Sequence, residues 1–529
     1  MHATTSPDRQ SDDPATADGS VSRVARGSAA NLVGAAVTGV STFALTVIVA
    51  RGFSRPDAGI FFATTSLFLV ATTIGNLGTQ TGVVYFLARC RAQGTPEMIG
   101  SYLRTALRPM LLLALVMAVA TLVLAPFIGR LISADHVGTA TTYLRWMAVF
   151  IPLAGLEIVF LAGTRGLGAI RPYTLTEQIY RPLLQLALVA AVAVAATTPL
   201  LGAAWAFGYA PAAVAALITW RRVRARYPRP RADQPLPRVS AEFWKFTLPR
   251  SLTSTIQMLL QRFDVVLVAA LAGIVNAAIY AAATRFIVIG QLGINALTIA
   301  AQPQFAERLS IDDRRSANEL YQVTTAWLVL VTWPVYLCLL IFAKPVLAVF
   351  GHGYSAGGTA IMLIAASMLI GTGTGMVDTV LAMAGHTLWN LGNAALALAV
   401  ILGLDFWLIP SHGIVGAAIG WAAAIVVRNV AAVTQVGVSM GFHPIARPTL
   451  WAVGLTVVCF AGVLGLARLI FGNTVSVLGL ALAAATIVYL VALAVFRSQL
   501  RLDALGGLPR RRRQPGPVLR TRVDVGLKK

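Results

Sequence analysis

Long apolar runs separated by short polar segments make up most of this chain. The runs recur from Asn31 to Phe496, and each has ~20 residues, enough for a helix to cross ~30 Å of hydrocarbon. We count about fourteen of them, numbered here as spans 1–14 in chain order. They are continuously apolar, without the alternation of a barrel strand, so they predict an all-α polytopic membrane protein. Spans 2 and 8 are predicted over residues 60–88 and 275–305.

The chain repeats itself at an offset of 219 residues, which aligns Ala58-Gly-Ile-Phe with Ala277-Ala-Ile-Tyr. Gly166 matches Gly385 at the same offset, and Leu201-Gly-Ala-Ala matches Val415-Gly-Ala-Ala at an offset of 214, so the repeat covers six spans in each half. Six is an even number, so the halves run parallel, related by an axis along the membrane normal. Polar positions match as well as apolar ones: Asn76, Thr79, Phe86 and Arg89 align with Asn295, Thr298, Phe305 and Arg308.

Together with the charge pattern, the repeat predicts six segments. Residues 1–27 are polar and have no signal-peptide core, so we expect a disordered tail there. The other segments are a first six-helix lobe over 28–220, a basic linker over 221–245, a second six-helix lobe over 246–440, a helix pair (spans 13 and 14) over 449–496 and a basic tail over 497–529.

Four predicted spans carry a polar stripe on one helical face, with spacings of seven and eleven residues. Such side chains commonly bond neighbouring helices. However, the stripes match in pairs across the repeat, which favours a shared polar cavity that suits a ligand rich in hydroxyl groups, such as a glycan. The members are Asn31, Thr38 and Thr42 in span 1; Thr65, Thr72, Asn76 and Thr79 in span 2; Arg250, Gln257 and Gln261 in span 7; and Thr284, Gln291, Asn295 and Thr298 in span 8.

Composition and charge narrow the class further. A mean hydropathy of +0.75 and only 12% charged residues exclude an ordinary soluble domain. The net charge of +22 is concentrated in the linker and the C-terminal tail, so the positive-inside rule predicts a multi-pass cell-membrane protein with both termini in the cytoplasm. For the same reason we expect anionic membrane lipids, and no nucleic acid, as partners of these basic segments.

The sequence contains no arrangement typical of catalysis, a cofactor or a metal. Cys90, Cys338 and Cys459 lie far apart, and the six histidines form no ligand pair. Neither a phosphate-binding glycine loop nor a nucleophile with a partnered base is found. We therefore expect a protein that is not an enzyme and needs no cofactor.

Several segments together resemble a known family. They are ARGFSRPDAGIFF from Ala50, NLGTQTGVVYFLAR from Asn76, FDVVLVAALAGIVNAAIYAAATRF from Phe263 and PQFAER from Pro303. In this order and spacing they are similar to the polysaccharide-unit (Wzx-type) flippases of the multidrug/oligosaccharidyl-lipid/polysaccharide exporter superfamily, over about residues 25–440.

The resemblance implies a transporter for cell-surface polysaccharide biosynthesis. It would flip a polyprenyl-(pyro)phosphate-linked oligosaccharide from the inner to the outer leaflet by alternating access, with helices 1, 2, 7 and 8 facing the cleft. It also implies a polysaccharide polymerase or glycosyltransferases as partners, and a place for the lipid tail beside spans 13 and 14.

Three charged residues in the second half are candidates for substrate binding, because an intramembrane charge is costly and usually functional. Asp264 lies on the polar stripe of span 7, Arg262 lies ~200° around the helix from it, and Arg285 lies in span 8. Two readings stay open. Either Asp264 is a structural counter-ion for an arginine, or an arginine binds the substrate phosphate while Asp264 senses a coupling cation or releases that arginine.

Other intramembrane charges receive structural interpretations. Glu157 must be neutral, paired or hydrated, and Glu177 and Arg181 are spaced for a local ion pair. Asp378 and Arg428 are assigned to packing. Lys344 and Asp405 lie near span ends, where a charged group can extend to the interface.

Three alternative functions remain. A lipid II (peptidoglycan precursor) flippase is disfavoured because its known members carry arginines in the first helix, and residues 31–50 have none. A cation-coupled multidrug antiporter usually has twelve helices and an acidic residue in the first. A membrane-embedded glycosyltransferase or ligase would need long polar outer loops, and the predicted loops here are short.

Overall fold

The computed structural model describes residues 14–228 and 239–501, with side chains from Val33 onward except seven in span 8. Within those ranges every regular element is helical, and thirteen helical segments are long and apolar enough to cross a membrane. This confirms the predicted all-α polytopic fold. Span 8 is the predicted span outside this set; it consists of the short apolar helix Ile274–Thr284 followed by Ile287–Ser310.

The helix bounds of the first half, spans 1–6, are as follows. Span 1 is Pro14–Gly52; span 2 is Arg55–Asn76; span 3 is Ile99–Ile132; span 4 is Val137–Ala148 with Ile151–Gly166; span 5 is Arg171–Tyr173, Thr174–Tyr180 and Arg181–Val194; span 6 is Leu201–Phe207 with Tyr209–Arg224. Thr79–Gln93, called here the connecting helix, lies between spans 2 and 3, and single 3₁₀ turns at Pro96–Met98 and Thr198–Leu200 precede spans 3 and 6.

The second half, spans 7–12, and the C-terminal pair continue the helical pattern. Span 7 is Ser240–Ala272; span 8 is Ile274–Thr284 with Ile287–Ser310; span 9 is Arg314–Ile341; span 10 is Gly358–Gly373 with Val377–Met383; span 11 is Thr387–His412; span 12 is Ile414–Met440; span 13 is Arg447–Thr456, Val457–Gly462 and Val463–Phe471; span 14 is Val475–Val495. Short helices at Ala343–Leu347, Ala348–Phe350 and Tyr354–Gly357 connect spans 9 and 10.

The predicted terminal and linker segments are only partly described. The first helix is described over Pro14–Gly52, so the predicted tail over 1–27 overlaps span 1. Residues 1–13 lie outside the described residues, as do 229–238 of the linker and 502–529 of the C-terminal tail. The linker is helical at both of its ends, up to Arg224 and again from Ser240.

Span 2 is shorter than the apolar run over 60–88 suggested. Its helix begins with a cap, in which Ser54 Oγ accepts a hydrogen bond from the Asp57 N–H at 3.2 Å. It ends where Leu77 and Gly78 take left-handed conformations, with φ of 50° and 64°. A Cβ on Gly78 would lie 2.7 Å from Ser251 Cα, so this turn sits directly against span 7. The close approach requires the small residue and ends the helix.

The two halves also meet at the opposite end of the membrane-spanning region. Gly59 of span 2 lies so close to span 8 that a Cβ would be 1.9 Å from the Ile274 carbonyl oxygen. Phe43 of span 1 also packs edge-on against Phe286, just after the first helix of span 8, with ring centroids 5.4 Å apart. Both contacts are apolar or backbone contacts, so close packing here depends on the absence of a side chain at Gly59.

Spans 13 and 14 pack against span 9 through a few polar bonds. The Tyr489 hydroxyl donates to the Leu330 carbonyl at 2.7 Å, and the Trp327 indole N–H donates to the Leu500 carbonyl at 3.2 Å. Arg468 donates to the Ile341 carbonyl. Each bond gives a buried or interfacial polar group a backbone partner, which fixes the pair to the second half.

We expect Gly59→Ala to destabilise the protein by about 1–3 kcal/mol, because the new methyl group would force spans 2 and 8 apart. Gly479→Ala in span 14 is the matched control, since nothing lies within 4 Å of its Cβ position; it should be neutral or stabilise by ~0.5–1 kcal/mol. The thermal unfolding midpoint of each purified variant measures the difference. Equal midpoints for the two variants would contradict the close approach.

Candidate functional site

A cavity of about 170 Å³ lies between the two halves of the protein. Spans 1, 2, 5, 6, 7 and 8 all contribute to its wall. One side carries hydroxyl groups, from Thr38, Ser41, Thr42, Thr46 and Thr65. Aromatic rings from Phe61, Phe62, Trp205 and Tyr209 and three guanidinium groups, from Arg181, Arg262 and Arg285, complete it.

Arg181 reaches the cavity from the first half and is paired. Its Nε lies 3.2 Å from Glu157 Oε1, and its guanidinium carbon lies 4.7 Å from the centre of the Tyr209 ring. Glu157 is 1% exposed, so Arg181 supplies the counter-charge that a buried carboxylate needs. Glu177 lies further from the guanidinium, at 3.9 Å from Nη2.

Arg262 and Arg285 reach the same cavity from the second half. The Nε atoms of both side chains are buried and donate to no described residue. The ion pairs of residues 33–228 and 239–501 include neither arginine. Arg285 lies over the Phe62 ring, 5.7 Å from its centre, a favourable but weak contact. Two half-buried cations therefore face the cavity, and no described carboxylate lies within 4 Å of either.

Asp264 does not line this cavity. It is 4% exposed; its Oδ2 accepts a hydrogen bond from the Tyr280 hydroxyl at 2.8 Å, and its Oδ1 accepts one from the Val265 N–H at 2.7 Å. Asp264 thus packs against span 8, and its neighbour Arg262 takes the cavity position. The sequence-based angle of ~200° between the two side chains agrees with only one of them facing the cavity.

The other predicted cleft residues occupy three environments. Thr38 and Thr42 line the cavity. Gln257, Gln261 and Asn295 are exposed and Gln291 is half-buried, outside the cavity wall. Thr72 and Asn76 are buried within span 2, where Asn76 Oδ1 accepts a 2.5 Å hydrogen bond from Thr79. The side chain of Asn31 lies outside the described residues.

The sequence-based search did not select Arg181, Gln185, Trp205 or Tyr209, which line the cavity from spans 5 and 6. The signal that points to these residues is Glu157, an intramembrane acid that requires a positively charged partner. The spacing of Glu177 and Arg181 pointed to a local pair, whereas Arg181 is closer to Glu157. A helix-period analysis also misses that Thr174–Tyr180 is a π-helical segment.

An ion pair and a single buried acid lie in the second half, outside the cavity wall. Arg428 Nη2 lies 2.6 Å from Asp378 Oδ2, in agreement with a packing role. Asp405 is 0% exposed and accepts no hydrogen bond from the described residues. The Asp405 carboxylate therefore does not extend to the membrane interface. It packs against span 12, where a Cβ on Gly420 would lie 2.3 Å from Asp405 Oδ1.

The linker end of the cavity is closed by contacts between the halves. Glu242 of span 7 pairs with Arg89 of the connecting helix and accepts a 2.8 Å hydrogen bond from the Tyr102 hydroxyl. Next to it, Tyr85 stacks on Phe246 with ring centroids 4.2 Å apart. These surface pairs and stacks are individually weak, about 0.2–1.5 kcal/mol each, so they suit a closure that opens and closes.

Glu242→Gln is expected to loosen this closure. In a background without Cys90, Cys338 and Cys459, a cysteine at the buried position Thr247 reports opening through its rate of reaction with a water-soluble maleimide. We expect Glu242→Gln to raise that rate about two- to tenfold, since it removes the negative charge that pairs with Arg89 and leaves one acceptor oxygen where Arg89 and Tyr102 now have two. Glu97→Gln, an exposed acid without these contacts, is the control. An unchanged rate with Glu242→Gln would show that these contacts do not hold the closure.

The sequence and fold have identifiable relatives. The family model described as "Polysaccharide biosynthesis protein" matches residues 24–308. No curated protein sequence matches this chain.

Among solved structures, the lipid II flippase MurJ in an inward closed conformation aligns with a TM-score of 0.68 at 12% identity, covering 89% of this chain and 99% of that one. An inward-facing multidrug resistance MATE family transporter of the MOP superfamily aligns with a TM-score of 0.57 at 15% identity, covering 81% of this chain and 98% of the other. A MOP superfamily transporter from Pyrococcus furiosus aligns with a TM-score of 0.52 at 16% identity, covering 82% of this chain and 96% of that one. At these identities the similarity shows a shared fold.

Proposed function

Because this chain belongs to the polysaccharide biosynthesis protein family, we propose that it flips a polyprenyl-(pyro)phosphate-linked oligosaccharide from the inner to the outer leaflet. The product would serve cell-surface polysaccharide biosynthesis. The chain is a multi-pass membrane protein with a transporter fold. We infer from the charge pattern that both termini and the linker face the cytoplasm, where the basic segments would contact anionic lipids.

The observation that carries this proposal is the cluster of three guanidinium groups around one cavity. Three cations close together in a largely apolar region repel one another, and only one, Arg181, has a described carboxylate partner within 4 Å. A phosphate or diphosphate would supply the missing negative charge and match the planar N–H donors of arginine. The cavity therefore suits an anionic head group.

The size of the cavity indicates which part of the substrate it would hold. About 170 Å³ is the room of about six water molecules at ~30 Å³ each, enough for a phosphate or diphosphate but not for an oligosaccharide. We infer that the phosphate binds between the arginines and that the sugars require the cleft to widen. The exposed amides of Gln257, Gln261 and Asn295 would then be available to the hydroxyl groups of the glycan.

Transport by alternating access requires the substrate to bind the two conformations unequally. Arg181 belongs to the first half and Arg262 and Arg285 to the second, so moving the halves changes the distances between these groups. Asp264, held by Tyr280, is the group that we assign to sensing a coupling cation or to releasing an arginine. In this mechanism the two predicted six-helix lobes, over 28–220 and 246–440, would move relative to each other.

A lipid II flippase is the second candidate, favoured by the fold shared with MurJ over 89% of this chain. Its substrate is also a lipid-linked glycan, so the arginine cavity suits both. A multidrug antiporter also shares the fold, but a cavity lined by three arginines repels cationic drugs. The substrates are distinguished by which lipid-linked intermediate accumulates in the absence of the protein.

In cells that lack the gene, we expect lipid-linked oligosaccharide to accumulate on the cytoplasmic face. Wild type should clear it, whereas Arg285→Ala should reduce clearance at least tenfold, since a charge-assisted contact with phosphate is worth ~1.5–3 kcal/mol. Arg145→Ala, an exposed arginine in span 4 outside the cavity, is the control and should clear it normally. Extraction and quantification of the intermediate measure clearance.

Other outcomes would separate the candidates. Accumulation of lipid II instead would favour the peptidoglycan precursor as substrate. Sensitivity to cationic drugs without any accumulation would favour the antiporter. Normal clearance by both Arg285→Ala and Arg262→Ala would leave the flippase but contradict the arginine site.

A further inference from the structure

We infer that Arg181 is the ligand that the first half contributes to the bound anion, that Glu157 positions it, and that the anion thereby bridges the two halves. This rests on the proposed function, because it assigns residues of the same cavity. Arg181 lies in span 5 and Glu157 in span 4, whereas the other two cavity arginines belong to spans 7 and 8. Among the three cavity arginines only Arg181 belongs to the first half, so a single anion can form ion pairs with both halves only if Arg181 takes part.

Glu157 is placed to serve Arg181. Its side chain is 1% exposed, and neither oxygen accepts a hydrogen bond from a described residue. Its 3.2 Å ion pair with Arg181 is thus its principal described polar contact. The other charged or titratable groups near this pair are Glu177, on the same span as Arg181, and Tyr209 of span 6, whose ring lies under the guanidinium. Spans 2 and 3, which also pack against span 4, contribute no described charge to this pair.

The backbone of span 5 fixes where Arg181 can reach. The π-helical segment Thr174–Tyr180 directly precedes Arg181, and π-helical geometry changes the pattern of carbonyl partners. The Gln178 carbonyl in this segment accepts a 2.8 Å hydrogen bond from the Thr38 hydroxyl of span 1. Span 5 is therefore held against a cavity-lining residue of span 1 one turn before Arg181.

The Arg181 guanidinium is held by its neighbours and still has N–H groups that can donate hydrogen bonds to a ligand. Its Nε faces Glu157, its plane contacts the Tyr209 ring, and Nη2 is 3.9 Å from Glu177, beyond hydrogen-bond distance. An arginine has five N–H donors in a fixed fork. The terminal N–H groups thus stay available to an anion in the cavity that Arg181 lines.

A bridging anion has a structural consequence. Without it, Arg181 on one side and Arg262 and Arg285 on the other repel each other across the cavity, which favours separation of the halves. With it, attraction replaces repulsion and the closed arrangement is stabilised. Anion binding should therefore slow the opening at the linker end, where Glu242 and Thr247 lie.

Inorganic pyrophosphate is the probe, and its Kd is measured by calorimetry with the full chain in lipid nanodiscs. If the two acids act only through their negative charge, which opposes anion binding, then Glu157→Gln and Glu177→Gln should each leave pyrophosphate binding unchanged or make it tighter. Positioning predicts that Glu157→Gln weakens binding at least tenfold, whereas Glu177→Gln, the matched control, stays within twofold. The unfolding midpoint of each variant confirms that the fold is kept.

Because Arg181→Gln alone would leave Glu157 buried without its partner, the double variant Arg181→Gln/Glu157→Gln tests the ligand itself. It should also lose at least tenfold in affinity. In the Thr247→Cys background, pyrophosphate should slow maleimide labelling at least threefold with the wild-type pair and have no effect with the double variant.

The outcomes separate this inference from the proposed site. If wild type does not bind pyrophosphate, the anion site fails and this inference fails with it. If binding is lost with Arg285→Ala but unchanged in the double variant, the anion site stands and the role of Arg181 is overturned. If Glu157→Gln binds as tightly as wild type or more tightly, Glu157 does not position Arg181.

Discussion

The structure depends on holding three arginine side chains around one small cavity inside a membrane protein. Moving charged groups from water to such a position costs free energy, and the surrounding contacts offset that cost only in part. Arg181 has Glu157 at 3.2 Å and the Tyr209 ring; Arg285 has the Phe62 ring. We propose that the excess positive charge that remains makes the cavity selective for an anion and couples the charge of the ligand to the separation of the two halves.

The contacts that close the cavity are of a different kind at its two ends. At the linker end they are an exposed ion pair and stacked aromatic rings around Glu242 and Phe246. At the opposite end, Gly59 and Ile274 approach so closely that a Cβ on Gly59 would meet the Ile274 carbonyl oxygen. The ion pair and the stacked rings at the linker end are individually weak, so a ligand that changes the balance by a few kcal/mol can change whether that end is closed.

Hydropathy was sufficient to predict the helices, because crossing a membrane requires long apolar runs in which every backbone group is bonded internally. It did not predict where span 2 stops, because Leu77 and Gly78 turn there against Ser251 of span 7, a contact between distant parts of the chain. Hydropathy also did not predict the break in span 8 after Thr284, because the run over 275–305 contains no proline near that point and stays largely apolar on both sides of it.

The cavity was only partly predictable. Helical spacing correctly placed Thr38 and Thr42 on one face, and both line the cavity. Periodicity favoured Asp264 over Arg262, but Asp264 is bonded to Tyr280 of the next span, and a long arginine side chain can reach a cavity from the flank of its helix. Arg181 was not predicted as a cavity residue, because its spacing from Glu177 indicates a local ion pair. Its nearer partner, Glu157, lies on another span.

The central claim is that the phosphate of a lipid-linked glycan binds between the two halves at the three arginines. The most direct measurement is a cryo-electron microscopy structure in a lipid nanodisc with a polyprenyl-diphosphate-linked glycan bound. We predict diphosphate density within hydrogen-bond distance of Arg181, Arg262 and Arg285, with the prenyl chain in the bilayer. Diphosphate density elsewhere, for example at the basic linker, with the arginine cavity lacking it, would contradict the account.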